Sequence, residues 1–333
     1  MLPLLATLSF CSAEVDLKSL EAEIQKGTFP KITSILIDRG QKIVYEKYFG
    51  EGSPTLLNDS RSVTKTVTSL AAGIAGTKLK TAIENTPVAK TFGVKAASPD
   101  WAGVTLKDLL TMSSPLAADD SDQDSPGCED RMHEQSKWLD WGLKLPTKTG
   151  VSRDKTGHFP FCYATINAVL AGQVIQKLTG QKFDKFVETS LLRPMQITKS
   201  KFQYSKSGEV MSGGGLRLTS RDLTKLGRLI LDKGRYAGRQ VVPAKWIAEM
   251  TTPHRRDTIM PGVDYGYFLW KITFGENSES NTAWCMLGNG GNIVAVFPQR
   301  NTVITITRTD YNSGTTAPET MKIIGALILP NLK

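Results

Sequence analysis

Strand-like runs stand at both ends of the chain, and helix-like runs fill most of what lies between. Near the start, KITSILIDRG and QKIVYEKYFG are β-rich and joined through Arg39 and Gly40, the pattern of a hairpin. Towards the end, YGYFLWKITFG, TAWCMLGNG, NIVAVFP and TVITITRT are further β-rich runs divided by polar or glycine turns. From about residue 59 to 250 the spacing is mostly helical, and a last segment places Met321, Ile324, Leu327 and Ile328 at helical intervals before Pro330. Half-apolar strands must bury one face, so the ends of the chain are expected to meet in one sheet. The expected fold is therefore α/β of the α+β type: a central antiparallel sheet built from both termini, flanking helices, and an inserted mainly helical region. Residues 14–75 and 265–333 are assigned to the sheet part, and about 76–264 to the helical part, of a single unit.

The 333 residues, 40% hydrophobic and 22% charged, suffice for one large core. No apolar run reaches the roughly 18 residues of a membrane-spanning helix, so no span is expected. The opening MLPLLATLSFCSA is uncharged and largely apolar, which reads as a secretory leader over residues 1–13 and a secreted or periplasmic protein. Beyond it lie Cys128, Cys162 and Cys285, too few and too scattered for a disulfide framework or a metal cluster. One bridge between Cys128 and Cys162, or three separate thiols, are both open. The net charge of +9 is spread among acids without a basic tail or stripe, so no nucleic-acid partner is expected. Nor is there a phosphate loop, a dinucleotide fingerprint or a zinc-protease helix, and no cofactor or metal is expected.

Chemistry concentrates in three places. Ser62-Val63-Thr64-Lys65 opens a helix with Asp59 or Ser60 as cap, Val63, Val67, Leu70 and Ile74 on one face, and Gly76 at its end. Lys65 returns to the face of Ser62 after one turn, where a desolvated amine can activate a hydroxyl. A second match, Ser152 to Lys155, lies in a polar glycine-flanked loop and reads as solvated. Tyr163 stands before a helix lined by Ile166, Val169, Leu170 and Val174 and ending at Gly180, where it either faces a cleft or packs in the core. Leu287-Gly288-Asn289-Gly290-Gly291-Asn292 reads from its residues as a hairpin turn, with an open backbone N–H as the alternative. The stretch ADDSDQDSPGCEDRMHE reads as an acidic surface loop. His133, His158 and His254 sit in polar contexts and no G-x-S-x-G elbow exists, which argues against a Ser-His-Asp hydrolase.

Taken in order, SVTKTVTSLAAGIA, YATINAVLAGQVIQKLTG, SGGGLRLTSRDLTKLGRLIL and LGNGGNIVAVFPQRNTVITITR resemble the superfamily of class C β-lactamases, DD-peptidases and carboxylesterases. The resemblance runs from about residue 30 to the end. It implies that Ser62 is acylated, that Lys65 accepts its proton, that Tyr163 assists proton transfer, and that the N–H groups of Ser62 and Asn292 form an oxyanion hole. Thr165 replaces the family's asparagine in Tyr-x-Asn, altering a contact to substrate or lysine. Asn289-Gly290-Gly291 stands where the family has Lys-Thr-Gly or His-x-Gly. Asparagine there forgoes a charge-assisted contact to a substrate carboxylate worth roughly 1.5 to 3 kcal/mol. The implied substrate is thus a small neutral ester or amide, or a peptide-like molecule. The alternatives are a β-lactamase or DD-carboxypeptidase, and a catalytically silent penicillin-binding-like sensor.

Overall fold

The structure is a computed structural model that describes residues 15–93, 99–276 and 278–332. The leader assigned to residues 1–13 lies outside the described residues. Seven strands form one sheet: β1 (Ile32–Arg39), β2 (Lys42–Tyr48), β3 (Asp264–Tyr265), β4 (Trp270–Thr273), β5 (Thr282–Gly288), β6 (Asn292–Phe297) and β7 (Thr302–Arg308). Their order is β2-β1-β7-β6-β5-β4-β3. The two ends of the chain meet where β1 pairs antiparallel with β7, Ile35 opposite Ile306 and Ile37 opposite Ile304. The β1–β2 hairpin turns through Gly40 and Gln41, one residue later than the sequence implied, both with positive φ of 59° and 67°. Such a pair matches the right-handed twist of the flanking strands.

Side chains alternate across a strand, so neighbours on β7 report what covers each face. Thr305 and Thr307 bond to Thr224 and towards Ser220 of the helix Ser220–Leu231. Arg308 points the other way, to the C-terminal helix, where its guanidinium meets Glu319 at 2.6 Å and the carbonyl of Thr316 at 3.2 Å. Helices thus cover both faces, and every residue of β6 and β7 is buried. The closest approach on the first face falls at Gly227, where an added Cβ would lie 2.5 Å from Val303 Cγ1 and 2.7 Å from Val294 Cγ1.

Two long helices carry the candidate site, Val63–Leu79 and Thr165–Thr179, packed against each other in the mainly helical region. The first is buried on all sides from Val63 to Gly76. It runs on to Leu79, past the glycine expected to end it, and Lys80 in the left-handed conformation closes it instead. Gly76 serves packing: a Cβ there would lie 2.9 Å from Ile83 Cγ2. Cys128, Cys162 and Cys285 are free thiols, so the bridge held open between Cys128 and Cys162 does not form. Cys162 Sγ lies between Lys148 Nζ at 2.8 Å and the Ala118 carbonyl at 3.1 Å, and Cys128 Sγ points to the Gln123 carbonyl.

A methyl group at position 227 has no space against β6 and β7. Gly227→Ala is therefore expected to lower the free energy of unfolding by about 1–3 kcal/mol, read as a fall in the urea midpoint.

Candidate active site

The helix Val63–Leu79 starts one residue later than its sequence suggests. Ser62 occupies the cap position, and its hydroxyl makes no capping bond. Asp59 and Ser60, the expected caps, shape the entry instead: the Ser60 carbonyl accepts from Val63 N–H at 3.3 Å, and Asp59 Oδ1 accepts from Arg61 N–H at 3.4 Å. Between them Arg61 adopts φ 54°, a left-handed conformation costing a bulky residue about 1–2 kcal/mol. The guanidinium of Arg61 holds that conformation by lying over the Tyr311 ring, 4.1 Å from its centroid, with Asp59 Oδ2 3.5 Å away.

With the cap duty removed, the Ser62 hydroxyl is free to meet Lys65, and Nζ donates to Oγ at 2.7 Å. Lys65 is 1% exposed, so its ammonium has to find all its acceptors within the protein. The other two protons go to Thr165 Oγ1 at 3.0 Å and to the Gly213 carbonyl at 2.8 Å. The strap carrying that carbonyl is clamped between the two helices: Thr68 Oγ1 donates to the Ser212 carbonyl and Ser212 Oγ to that of Ala168. Only glycine fits at 213, because a Cβ would lie 2.7 Å from Thr165 Cγ2. Tyr163 completes the cluster, its ring centroid 5.0 Å from Lys65 Nζ and stacked on Trp270 at 5.6 Å.

Two carboxylates surround this cation. Thr165 donates from both its N–H and its hydroxyl to Asp120 Oδ2, each at 2.7 Å. Glu129 lies 3.7 Å from His133 and within electrostatic reach of Lys65 and Arg61. Burial by itself pushes Lys65 down, but its interactions with Tyr163, Glu129 and Asp120 outweigh that, and it stays a cation at neutral pH. Burial also acts most strongly on Asp120, and the attraction of Lys65 and the Thr165 hydroxyl only partly offsets it, so this carboxyl sits above its ordinary range. Glu129 is pushed up by burial and pulled further down by His133, Lys65 and Arg61.

The structure thus brings together Ser62, Lys65, Tyr163 and Thr165. Thr165 is fully buried with its hydroxyl committed to Lys65 and Asp120, so its contact is with the lysine and not with a substrate. The side chains of Asn289 and Asn292, at the turn between β5 and β6, are both engaged within the protein. The Asn289 amide is taken by Asn312, donating to its side chain at 2.9 Å and accepting from its N–H at 2.7 Å. Asn292 lies opposite Gly288 in the β5–β6 ladder, and its side chain bridges the Asn289 carbonyl and Arg308. Gly290 and Gly291 form the turn at φ 84° and 78°, packed on Tyr311 and on Thr316 and Thr320. The residue that approaches the helix start is Gly288, where a Cβ would lie 2.0 Å from the Ser60 carbonyl. Among the described residues, neither the Ser62 N–H nor that of Asn289 donates a hydrogen bond. These two backbone donors, on adjoining segments, are the pair this arrangement offers to an oxyanion.

Sequence reasoning passed over three contributors. Asp120 and Glu129 lie in the stretch read as a surface loop, and residues 121–124 are indeed exposed while these two fold inward. The Gly213 carbonyl has no side chain to announce it. The second Ser-x-x-Lys match is solvated as expected, with Ser152 and Lys155 both exposed.

The β-lactamase family model matches residues 32–323. The chain belongs to the β-lactamase family. Curated relatives include the 6-aminohexanoate-dimer hydrolase of Paenarthrobacter ureafaciens, 25% identical over 42% of this chain and 34% of that protein. The protein flp of Staphylococcus aureus strain NCTC 8325 is 28% identical over 55% of this chain and 37% of its own length. The chain spans little more than a third of the curated relatives it matches. Among solved structures, the hydrolase EstCE1 superposes with a TM-score of 0.74 at 14% identity, covering 94% of this chain and 97% of that one. A penicillin-binding protein from Bacillus halodurans superposes with a TM-score of 0.69 at 18% identity, covering 92% and 99%. These last two likenesses concern the fold.

Because a Cβ at position 288 would displace the Ser60 carbonyl and with it the start of the helix, Gly288→Ala is expected to lower kcat/KM on an ester by at least about 10²-fold, the scale of losing one oxyanion donor. The measurement is steady-state hydrolysis, with thermal melting as the check on folding.

Proposed function

We propose that this chain is a serine hydrolase that forms an acyl-enzyme on Ser62 and acts on small esters or amides. The observation that carries the reading is the 2.7 Å contact between the Ser62 hydroxyl and a fully buried Lys65. Burying a lysine is costly even when its protons find acceptors. In the proposed reaction, Lys65 as free amine takes the hydroxyl proton while Ser62 Oγ attacks the carbonyl carbon. The open N–H groups of Ser62 and Asn289 hold the oxyanion. Tyr163, beside Lys65, passes the proton to the leaving group, and water then resolves the ester in the reverse sense.

Electrostatics supports a substrate without a carboxylate. Asp120 and Glu129 make the surroundings of Lys65 negative. Of the described cations in this cluster, Lys65 has all three protons donated, and Arg61 is held by Asp59 and Tyr311. A β-lactam or D-Ala-D-Ala carboxylate therefore finds the protons of Lys65 taken, and meets Arg61 only as a guanidinium shared with Asp59 and the Tyr311 ring. An uncharged short-chain ester avoids that penalty, as does a linear amide. The P. ureafaciens relative is named a 6-aminohexanoate-dimer hydrolase, and two amino acids joined head to tail are linked by an amide, in keeping with the amide alternative.

Fluorophosphonate labelling followed by mass spectrometry is expected to find the adduct on Ser62, and Ser62→Ala to abolish both labelling and turnover. Lys65→Ala is expected to slow acylation by several orders of magnitude, and Tyr163→Phe by about 10² to 10⁴. Labelling that persists in Ser62→Ala sinks the assignment. A p-nitrophenyl short-chain ester is expected to give a higher kcat/KM than nitrocefin, and the opposite order would move the reading to β-lactam hydrolysis.

A further inference from the structure

A lysine that donates all three of its protons has no lone pair with which to accept one from serine. Lys65 is in that condition, and its acidic surroundings keep it there. If Ser62 is the nucleophile, as proposed above, the amine has to be discharged before each acylation. Bulk water does not reach it directly, since Lys65 is 1% exposed and Thr165 fully buried. Among the described residues, one hydrogen-bonded route leads from the ammonium to a carboxylate: from Nζ to Thr165 Oγ1, and from Thr165 Oγ1 to Asp120 Oδ2.

We propose that Thr165 and Asp120 form a proton relay behind Lys65, through which the ammonium is converted to the amine that activates Ser62. The Lys65 N–H bond breaks as a new O–H forms on Thr165 Oγ1, and the original Thr165 O–H breaks as an O–H forms on Asp120 Oδ2. Ammonium and carboxylate become amine and carboxylic acid, so no outside acid or base is consumed. A third of a turn about the Cε–Nζ bond then directs the lone pair to Ser62 Oγ. The amine takes that proton as Oγ bonds to the substrate carbonyl carbon. The proton reaches the leaving group by way of Tyr163, and Asp120 returns its own proton along the same route when Lys65 is recharged.

Three observations support this direction of transfer. Asp120 Oδ1 is buried with no hydrogen-bond partner among the described residues, so the ionised form is only half solvated by the protein. Protonating Asp120 removes that cost and at the same time removes the buried charge on Lys65. Burial also holds the Asp120 carboxyl above its ordinary range. Finally, Thr165 donates its backbone N–H to the same oxygen, which fixes Oδ2 in line with the hydroxyl. Asp120 and Thr165 act through Lys65 and touch no substrate, which makes them positioning and relay residues. The other groups facing this network are Tyr163 and Glu129, the latter in turn held by His133 and Arg61.

The test is the pre-steady-state acylation rate of the full chain with p-nitrophenyl acetate across pH. Thr165→Val keeps the shape, the backbone bond to Asp120 and the charge of Asp120; it cuts the relay and also takes one acceptor from Lys65, so thermal melting is measured alongside. It is expected to slow acylation by about 10²-fold or more, with Thr165→Ser restoring most of the rate. Asp120→Asn is expected to lower the plateau of the pH profile as well. Should Asp120 merely keep Lys65 charged, Asp120→Asn would instead move the acid limb to lower pH with the plateau retained, which overturns the relay. Wild-type acylation in Thr165→Val does the same. Failure of the wild type to acylate on Ser62, read by mass spectrometry, strikes the nucleophile assignment itself and is thereby distinguished from failure of the relay.

Discussion

The ammonium of Lys65 needs three acceptors in a place without water, and the chain supplies one from each of three distant segments. Ser62 comes from its own helix, Thr165 from the second helix, and the Gly213 carbonyl from a strap between them. A buried charge left short of a partner costs several kcal/mol, so each segment is held in place by what the other two provide. The two helices can pack at this distance only because the strap residue has no Cβ. Thr68, Ser212 and Ala168 then lock the strap from both sides. The site is therefore a structural knot as well as a chemical one, and loss of any acceptor is felt in both.

The same charge organises its surroundings. Asp120 and Glu129 compensate Lys65 without touching it, one through Thr165 and the other through space. That arrangement keeps the Lys65–Ser62 line open, where a direct carboxylate contact would occupy it. The result is a lysine held in its charged form with two acids around it. The acids bear on which substrates the proposed reaction would accept; the charge bears on how Lys65 would be prepared as its base. Both consequences follow from placing acids one shell away from the lysine.

How much of this was legible depends on whether the signal was local. The β1–β2 hairpin, strands β4 to β7 and the two site helices follow from apolar period and turn residues, which are written in neighbouring positions. That the two ends pair through β1 and β7 follows from burial: half-apolar strands have to bury one face and so need neighbours. Ser62 and Lys65 were legible because one helical turn brings them together. Gly213 was not, since a carbonyl is common to every residue. Asp120 and Glu129 were hidden among acids that do face solvent, and only the folded path of residues 120–129 separates them. Gly76 misled for a similar reason, because a glycine that allows close packing and one that ends a helix look alike in sequence.

The turn at Asn289 to Gly291 shows why a motif position does not transfer with its side chain. In the family pattern the first residue of that triplet offers a cation to substrate. Here Asn312, itself at φ 61°, takes both ends of the Asn289 amide, and Asn292 fastens the turn to Arg308. Arg308 is fully buried and tied to Glu319, Thr316 and the Pro30 carbonyl, so the turn is anchored through it to the C-terminal helix and to the chain before β1. What such anchoring leaves for chemistry is backbone. Gly288 presses on the Ser60 carbonyl and the next N–H, that of Asn289, has no partner. A rigid turn with an open N–H serves an oxyanion better than a mobile amide would, since a fixed dipole needs no reorganisation as charge develops. The side chains of this segment thus contribute by fixing the main chain.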